Sequence, residues 1–293
     1  MTSRTPVAPA THPRGAIALA LALAFVLLAL TPAGRGETPA ITPRAPLSLF
    51  NGQDLAAFTT WLASSGPADP DRVFSVVTGI DGAPAIRFSG QHYGGILTRE
   101  RYTNYRFVME FRWGLLTWEP RKKAARDSGV LFHCQGEPGN NTPDFRAPWQ
   151  RSIECQLIEG GTGDLIIVGG YERGRPEMLF PTLQSTVTPG TRRWNPQGEP
   201  GQFGKGRNRT DAGYKDPAWK DVTGFRGAHD AEKPVGQWNH LEVVCAGRSL
   251  AYFLNGVPVN AATDASLSEG RLLIQSEGAE LFVRKIELHP LQK

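Results

Sequence analysis

The sequence predicts an all-β sandwich or jelly roll, and three observations carry this prediction. Short runs rich in β-branched and aromatic residues recur from residue 47 onward, separated by turn residues such as Gly, Pro, Asn and Asp. Asn255 and Gly256 lie between two such runs and form the strongest kind of two-residue hairpin signal. No stretch shows the 3.6-residue apolar period of a long amphipathic helix. Many short strands at this density are typical of a sandwich.

The segments that carry the strand pattern run through most of the chain. They are residues 74–77, 85–88, 106–113, 129–134, 152–158, 240–245, 249–254, 271–275 and 281–288. The chain has 293 residues, of which 40% are hydrophobic. This is enough apolar material for the core of one large β domain.

The first 36 residues have the features of a signal peptide. Residues 16–30 read AIALALALAFVLLAL, an uncharged apolar run preceded by Arg14. This run is shorter than the roughly 18 to 20 residues that span a bilayer, and it has the length of a signal-peptide core. Pro32 and Ala33 follow, so we place a cleavage site near Ala33 and expect export to the periplasm or the cell exterior. An uncleaved N-terminal anchor is the alternative.

Residues 37–46 are predicted to form a linker, and residues 47–293 the folded domain. Within that domain, residues 160–236 contain many Gly, Pro and Arg residues and little alternation after residue 168. A structureless stretch of this length is uncommon in a compact domain unless it is functional. We therefore predict a long loop excursion over one face of the sandwich. Its Trp194 and Trp219 are expected either to stack on a sugar ring or to pack the loop onto the body.

The charge of the chain gives no case for a nucleic-acid partner. There are 32 basic and 28 acidic residues, and Arg4, Arg14 and Arg35 are basic residues before position 37, where no acidic residue lies. Residues 37–293 therefore carry 29 basic against 28 acidic groups, a net charge of +1. We expect no nucleic acid as partner and a mature domain that does not span a membrane.

The three cysteines, Cys134, Cys155 and Cys245, match no zinc-binding spacing. In an oxidising compartment Cys134 and Cys155 could form a disulfide. The alternative is that all three are small buried side chains on strands.

Strand alternation sorts the polar side chains onto particular faces. Within residues 129–134, alternation places His133 opposite Phe132, and within residues 152–158 it places Glu154 opposite Ile153. If the strands lie in one sheet, their polar groups form one floor, which consists of Glu110, Arg112, His133, Glu154, Gln156 and Gln275. Histidine, glutamate and arginine together suit acid–base chemistry on a polar ligand. An ordinary hydrated sheet face with local ion pairs is the alternative.

Seven segments in order resemble the 3-keto-disaccharide hydrolase domain family, also described as 3-keto-glycoside lyases and hydratases. They are LSLFNGQDLAAF (47–58), YTNYRFVMEFRW (102–113), DSGVLFHCQG (127–136), RSIECQLIEGGTGD (151–164), GQWNHLEVV (236–244), FLNGVPV (253–259) and GRLLIQSEGAELFVRKIEL (270–288). The resemblance implies a concanavalin A-like jelly-roll sandwich. It also implies cleavage of glycosides whose C3 hydroxyl has been oxidised to a ketone, by removal of the C2 proton, elimination of the C1 substituent and hydration.

The resemblance and the alternation together give a set of expected site residues. We expect His133 and Glu154 to act as base or acid and Arg112 to be their electrostatic partner, with Glu110 and Gln156 orienting a small carbohydrate substrate. Gln275, Glu159, Trp194 and Trp219 complete the expected substrate-binding set. His133 and Glu154 could equally hold a divalent metal that polarises the ketone, so the cofactor stays open.

Two alternatives use the same architecture. Glu154 and Glu159 have the spacing of the paired glutamates of laminarinase-type retaining β-glucanases, although Gln156 replaces their central aspartate. A non-catalytic carbohydrate-binding module is the other alternative, because fold alone does not determine function.

Overall fold

The computed structural model describes residues 38–292, which form two antiparallel β-sheets of eight strands each and a separate two-stranded sheet. The strands are β1 (Leu47–Ser48), β2 (Phe58–Leu62), β3 (Phe74–Ile80), β4 (Ala83–Phe88), β5 (Gly94–Thr98), β6 (Tyr102–Thr103), β7 (Tyr105–Thr117), β8 (Asp127–Gln135), β9 (Arg151–Ile158), β10 (Leu165–Val168), β11 (Leu183–Val187), β12 (Glu199–Phe203), β13 (Arg209–Thr210), β14 (Asn239–Ala246), β15 (Ser249–Leu254), β16 (Val257–Ala262), β17 (Glu269–Ser276) and β18 (Ala279–Pro290). Every segment predicted to be a strand lies inside one of them. The all-β prediction is confirmed, whereas the predicted signal peptide lies outside the described residues.

The two large sheets have interleaved connectivity. Sheet I has the order β16-β15-β14-β7-β18-β4-β3, with β1 beside β18. Sheet II has the order β13-β10-β9-β8-β17-β5-β2, with β6 beside β17. The chain crosses repeatedly between the sheets, so strands that are consecutive in sequence often lie on opposite sides of the sandwich.

The hydrophobic core lies between the two sheets and consists of the apolar side chains at alternate positions of the strands. Phe107 and Phe111 of β7 point into it from sheet I, and Phe132 and Ile153 do so from sheet II; all four are fully buried. The rings of Phe107 and Phe132 meet edge to face across the core, 5.3 Å between centroids. Because alternate residues point the other way, polar side chains such as Glu154 and Gln156 lie on the outer face of sheet II.

A β-bulge interrupts the alternation at the end of β8. The register with β9 shifts between Phe132 and Gln135, and His133 has a left-handed backbone conformation with φ of 56°. The bulge packs tightly against Gly270, where a Cβ atom would lie 2.5 Å from the carbonyl carbon of His133. As a result His133 points inward and Cys134 points outward, the reverse of simple alternation.

The excursion over residues 160–236 is more regular than predicted. It supplies β10 and β13, which extend sheet II beyond β9, and the hairpin of β11 and β12. The short strands are hard to predict from sequence because β10 has only 4 residues and β13 only 2. The excursion thus widens the sheet and stands beside its outer face.

Cys134, Cys155 and Cys245 are free and buried. Cys155 packs in the core between the sheets, whereas Cys134 packs with Leu97, Leu131 and Leu273 on the outer face of sheet II. The disulfide alternative for Cys134 and Cys155 is therefore wrong. Among residues 38–292 there is no helix with the length and apolarity required to cross a membrane.

Candidate active site

The candidate site is a cavity of about 550 Å³ on the outer face of sheet II. Asp127 of β8, Gln156 of β9 and Glu277, just after β17, line it from the sheet. An adjoining hollow of about 270 Å³ contains Glu154 and Gln275. Both spaces are bordered by Gln156 and Glu277, so together they form one continuous polar floor. The three strands that carry this floor are neighbours at the centre of sheet II.

Asp127 is held at the floor by two donors. The Gln156 amide donates a short hydrogen bond to its Oδ1, and Arg121 Nε lies 3.3 Å from its Oδ2. Arg121 is itself fixed, because its Nη2 donates to Asp221 Oδ1 at 2.7 Å and to the Ala125 carbonyl at 2.9 Å. The Asp127 carboxyl group is thus buried, oriented and next to a cation.

Glu154 lies next to Gln275 in a space that Gly129 leaves open. A Cβ atom on Gly129 would collide with the side-chain oxygens of both residues. Glu154 is only 5% exposed, and Gln275 is 2% exposed. The Gln275 Oε1 atom is buried and has no hydrogen-bond partner among residues 38–292. An unsatisfied buried acceptor at the floor of a cavity suits a ligand that brings a donor such as a sugar hydroxyl.

Burial raises the pKa of all three floor carboxyl groups. Burial raises the pKa of Asp127 to about 7, although Arg121 and Gln156 act against the shift. Burial and the neighbouring Asp127 raise the pKa of Glu154 to about 8. The pKa of Glu277 is also well above its ordinary value, first because of burial and then because of Asp127 and Glu154. Closely spaced acids with unequal, raised pKa values are a common property of sites that move protons near neutral pH.

The excursion provides the opposite wall of the cavity. Lys215 Nζ donates to the fully buried Asp164 at 2.6 Å and lies 4.2 Å from the centre of the Trp219 ring. Trp219 is anchored because its Nε1 donates to the Glu159 carbonyl at 3.0 Å. Arg209 of β13 also contacts Asp164 and borders the cavity. The wall therefore combines cations with one aromatic ring.

The adjoining hollow has a more apolar wall. Trp149, Met178 and Phe180 line it opposite Glu154. The Trp149 ring is stacked against Tyr93 at 6.2 Å between centroids, which fixes its orientation. An aromatic face beside polar side chains is an arrangement that suits the apolar and hydroxyl-bearing surfaces of a sugar ring.

His133 is not part of this site. The bulge turns its ring into the core, where it packs edge to face on Tyr105 of sheet I at 5.9 Å and Nδ1 donates to the Leu267 carbonyl at 3.3 Å. Burial lowers the pKa of His133 to about 4, so the ring is neutral. Glu154 is on the other face of sheet II. The prediction that His133 and Glu154 share one hollow, as acid and base or as metal ligands, is wrong.

Glu110 and Arg112 are also away from the site. Both belong to β7 in sheet I and point outward from it, on the far side of the sandwich from Glu154. Glu110 pairs with Arg284, and Arg112 Nη1 donates to Asp81 at 3.0 Å. The alternation within β7 was predicted correctly, but the assumption that β7 lies in the same sheet as β8 and β9 is wrong.

The structure also places the remaining predicted residues. Glu154, Gln156, Gln275 and Trp219 border the cavity or its adjoining hollow. Glu159 is buried, and both its oxygens accept from Arg126 Nη1 at 2.9 Å. Trp194 lines a separate cleft with Pro196 and Thr263. Glu159 and Trp194 are therefore not at the candidate site.

Asp127, Glu277 and Arg121 are among the site residues that the sequence did not predict, and the first two had a detectable signal. Asp127 is two residues before Gly129, so alternation puts it on the same face as Leu131; the predicted strand began too late to include it. Glu277 is two residues after Gln275, so alternation puts both side chains on the same face of the sheet. Arg121 lies in a loop and had no signal, because its position depends on contacts with Asp127 and Asp221.

No cluster of three or more His, Cys, Asp or Glu side chains with an arrangement suited to a metal ion was found within residues 38–292. What the site does contain is a set of carboxyl groups, amides, cations and aromatic rings. Such a set can bind hydroxyl-rich ligands, hold a proton on one carboxyl group and accept one on another.

A family model described as a 3-keto-alpha-glucoside-1,2-lyase-like domain matches residues 46–289. No curated protein matches the chain.

Several solved structures are similar over most of the chain. A protein of Parabacteroides distasonis, provisionally described as a glycosyl hydrolase, has 17% identity and a TM-score of 0.46, with 85% of this chain and 94% of that chain covered. A β-glucanase of Bacillus licheniformis has 8% identity and a TM-score of 0.41, with 84% and 99% covered. A carbohydrate-binding module of Bacillus subtilis has 11% identity and a TM-score of 0.38, with 79% and 94% covered.

Proposed function

This chain belongs to the family of 3-keto-alpha-glucoside-1,2-lyase-like domains, and from that membership we propose that it cleaves glycosides whose C3 hydroxyl has been oxidised to a ketone. The coarser statement, that it is a carbohydrate-active protein of the glycosyl-hydrolase kind, follows from the family itself. We also propose that it acts outside the cytoplasm, because the sequence begins with a signal-peptide pattern.

The elimination step needs two proton transfers. The C3 ketone acidifies the C2 proton, and a base that takes this proton leaves the electron pair in an enolate. The enolate then re-forms the ketone as a C1–C2 double bond forms, and the C1–O bond breaks with its electrons leaving on the aglycone oxygen. An acid protonates that oxygen. Addition of water to the double bond, with hydroxyl to C1 and proton to C2, gives the free 3-keto sugar.

The floor carboxyl groups suit these two roles. We assign the base role to Asp127, because Arg121 at 3.3 Å and the Gln156 amide stabilise its ionised form. We assign the acid role to Glu154, whose pKa is raised to about 8 and which therefore keeps its proton at neutral pH. Their different surroundings give these two carboxyl groups different pKa values and therefore different roles.

The remaining side chains have binding roles in this proposal. Gln275 Oε1, the unpartnered buried acceptor, is available to a sugar hydroxyl. Arg121 lies where a cation can stabilise the negative charge that develops on the C3 oxygen of the enolate. The aromatic wall around Trp149 provides a surface for the second part of the glycoside, in the hollow next to Glu154.

The observation that carries the proposal is the convergence of Asp127 and Glu154 on one floor with unequal, raised pKa values. The test is incubation with a 3-keto-α-glucoside in deuterated water, following C2 exchange and aglycone release by NMR. Asp127→Asn should lower C2 exchange, and Glu154→Gln should lower aglycone release, each by about 10² to 10⁴.

Glu110→Gln is the matched control, because it removes a carboxylate from the outer face of sheet I. It should leave both rates unchanged. Wild-type rates in Asp127→Asn and Glu154→Gln would contradict the assignment. Sugar binding without any exchange or release in the wild type would instead support the non-catalytic carbohydrate-binding module.

A further inference from the structure

Not every basic side chain that borders the cavity is in an ion pair with an acidic residue. Five basic side chains border the cavity, and four of them make ion pairs with aspartates. These pairs are Arg121 with Asp127 and Asp221, Arg192 with Asp211, Arg209 with Asp164 and Asp211, and Lys215 with Asp164. The fifth is Arg193.

The Arg193 side chain makes no hydrogen bond or ion pair with any residue between 38 and 292, although the residue is half-buried. Its backbone is nevertheless well fixed. The Arg193 carbonyl accepts from the Thr188 amide at 2.9 Å, and the next residue, Trp194, donates its amide to the Asp211 carbonyl at 2.8 Å. A fixed backbone therefore presents a guanidinium group with unused donors beside the cavity.

No acidic group around the cavity forms an ion pair with Arg193 within residues 38–292. The charge of Arg193 contributes to lowering the pKa of Asp216. The Asp216 carboxylate accepts its hydrogen bonds from the backbone amides of Ala218 at 2.8 Å and Ala228 at 3.1 Å. Asp127 and Glu277 also line the cavity, and burial raises the pKa of both, that of Asp127 to about 7. The Arg193 guanidinium group is therefore a cation at the cavity wall whose N–H donors no carboxylate within residues 38–292 uses.

We infer that the cavity selects glycosides that carry an anionic group, a carboxylate or a sulfate ester, and that Arg193 pairs with this group. The inference rests on the proposed function and adds the class of substrate to it. A guanidinium group binds carboxylate and sulfate oxygens through two parallel N–H donors, a geometry that a neutral hydroxyl does not match. Arg193 would thus determine specificity and take no part in proton transfer.

The experiment compares the 4-nitrophenyl glycosides of 3-keto-α-glucose, 3-keto-α-glucuronic acid and 6-sulfated 3-keto-α-glucose. The wild type should have a kcat/KM at least about tenfold higher for one or both charged substrates than for the neutral one, since hydrogen bonds to charged groups are the stronger kind. Arg193→Gln should remove this preference and leave the neutral substrate within about twofold. A preference confined to the glucuronide identifies a carboxylate, and one confined to the sulfate ester identifies a sulfate.

Arg192→Gln is the matched control, because Arg192 is the neighbouring arginine but is exposed and already paired with Asp211. It should leave the preference for charged substrates intact. Equal kcat/KM values for charged and neutral substrates in the wild type would overturn the inference and leave the proposed reaction standing.

If none of the three substrates is turned over, the proposed function is wrong, and the inference about Arg193 is then tested by measuring sugar binding. Calorimetric titration with glucuronic acid, glucose 6-sulfate and glucose should then show tighter binding of a charged sugar, and Arg193→Gln should remove the difference. Equal or undetectable binding of all three sugars would overturn it.

Discussion

Glu154 and Gln275 meet over the bare backbone of Gly129, where any side chain would collide with both of their terminal oxygens. The two side chains come from β9 and β17, the strands on either side of β8 in sheet II. Gly129 is on β8 between them. Since its φ is not in the left-handed region, the residue is needed here for the space it leaves.

Gly129→Ala should therefore impair the reaction while the protein still folds. The new methyl group displaces the flexible ends of Glu154 and Gln275, and small displacements of reacting groups cost about 10² in rate. The measurement is kcat/KM on a 3-keto-glucoside together with the melting temperature. Gly204→Ala is the control, because the nearest atom to its Cβ would be a Thr182 methyl carbon at 3.3 Å, remote from the floor. Unchanged kcat/KM in Gly129→Ala would contradict the role of this space.

The rate of the reaction should depend on pH in a bell shape. Asp127 must be ionised and has a pKa of about 7, and Glu154 must be protonated and has a pKa of about 8. Activity should therefore rise with pH through the first value and fall through the second, with both limbs belonging to the interacting pair. The profile of kcat/KM from pH 5 to 10 tests this. A rate that keeps rising above pH 9 would exclude Glu154 as the acid.

Glu154→Gln should stabilise the fold although it removes the acid. The folded-state pKa of Glu154, about 8, is above its ordinary value of 4.5, so the unfolded chain ionises first as pH rises. The stability that the protonated form contributes is present below pH 4.5 and is lost as pH rises through 8. The melting temperature of Glu154→Gln should thus exceed that of the wild type at pH 8 and be closest to it at pH 4. Glu110→Gln, which removes a carboxylate that is paired with Arg284 on the outer face of sheet I, should show no such gain.

His133→Asn should change stability and not chemistry. The folded-state pKa of His133, about 4, is below its ordinary value of 6.5, so the unfolded chain takes up a proton first as pH falls. The wild type should lose stability between pH 6.5 and 4, and His133→Asn should lose less over that range. Asn tolerates the left-handed φ at this position but leaves ring volume unfilled, at a cost of about 1 to 3 kcal/mol at neutral pH. A loss of C2 exchange greater than the loss of folded protein would reinstate His133 at the site.

Glu159→Gln should destabilise the protein strongly, because Arg126 would remain buried without its carboxylate. Breaking one side of a buried ion pair costs about 3 to 5 kcal/mol. Denaturant unfolding of Glu159→Gln measures this, and the double variant Arg126→Met with Glu159→Met should recover most of the loss. Activity per folded molecule should be retained. Abolished cleavage of an unoxidised β-glucan in a folded Glu159→Gln protein would instead support the β-glucanase alternative.

The sequence was sufficient to predict side-chain direction where a strand is uninterrupted. Glu154, Gln156 and Gln275 lie on the face that alternation predicts. His133 does not, because it is itself the bulged residue, with φ of 56°, and this conformation turns its side chain to the other face. No local residue pattern marks the bulge. For Glu110 and Arg112 the predicted side-chain direction within the strand was right, but the strand was assigned to the wrong sheet. Sheet membership depends on pairing between distant segments, such as β7 with β14 and β18, which a single sequence does not reveal.

The loop residues illustrate a different limit. Trp194 and Trp219 have the same residue type and lie in the same excursion, yet one borders the cavity and the other a separate cleft. Their positions follow from anchors elsewhere, the Glu159 carbonyl for Trp219 and the Asp211 carbonyl for Trp194. Such anchors appear only once the chain has folded.

The excursion also has a consequence for engineering. The proton-transferring carboxyl groups are built on central strands of the sheet, whereas Arg193, Lys215 and Trp219 all come from one uninterrupted stretch of chain. Exchanging residues 169–208, the part of the excursion between β10 and β13, would alter the cavity wall at Arg193 while Asp221, which fixes Arg121, stays in place. Variants of this one segment could therefore be screened for a changed substrate preference without altering the strands that carry the carboxyl groups.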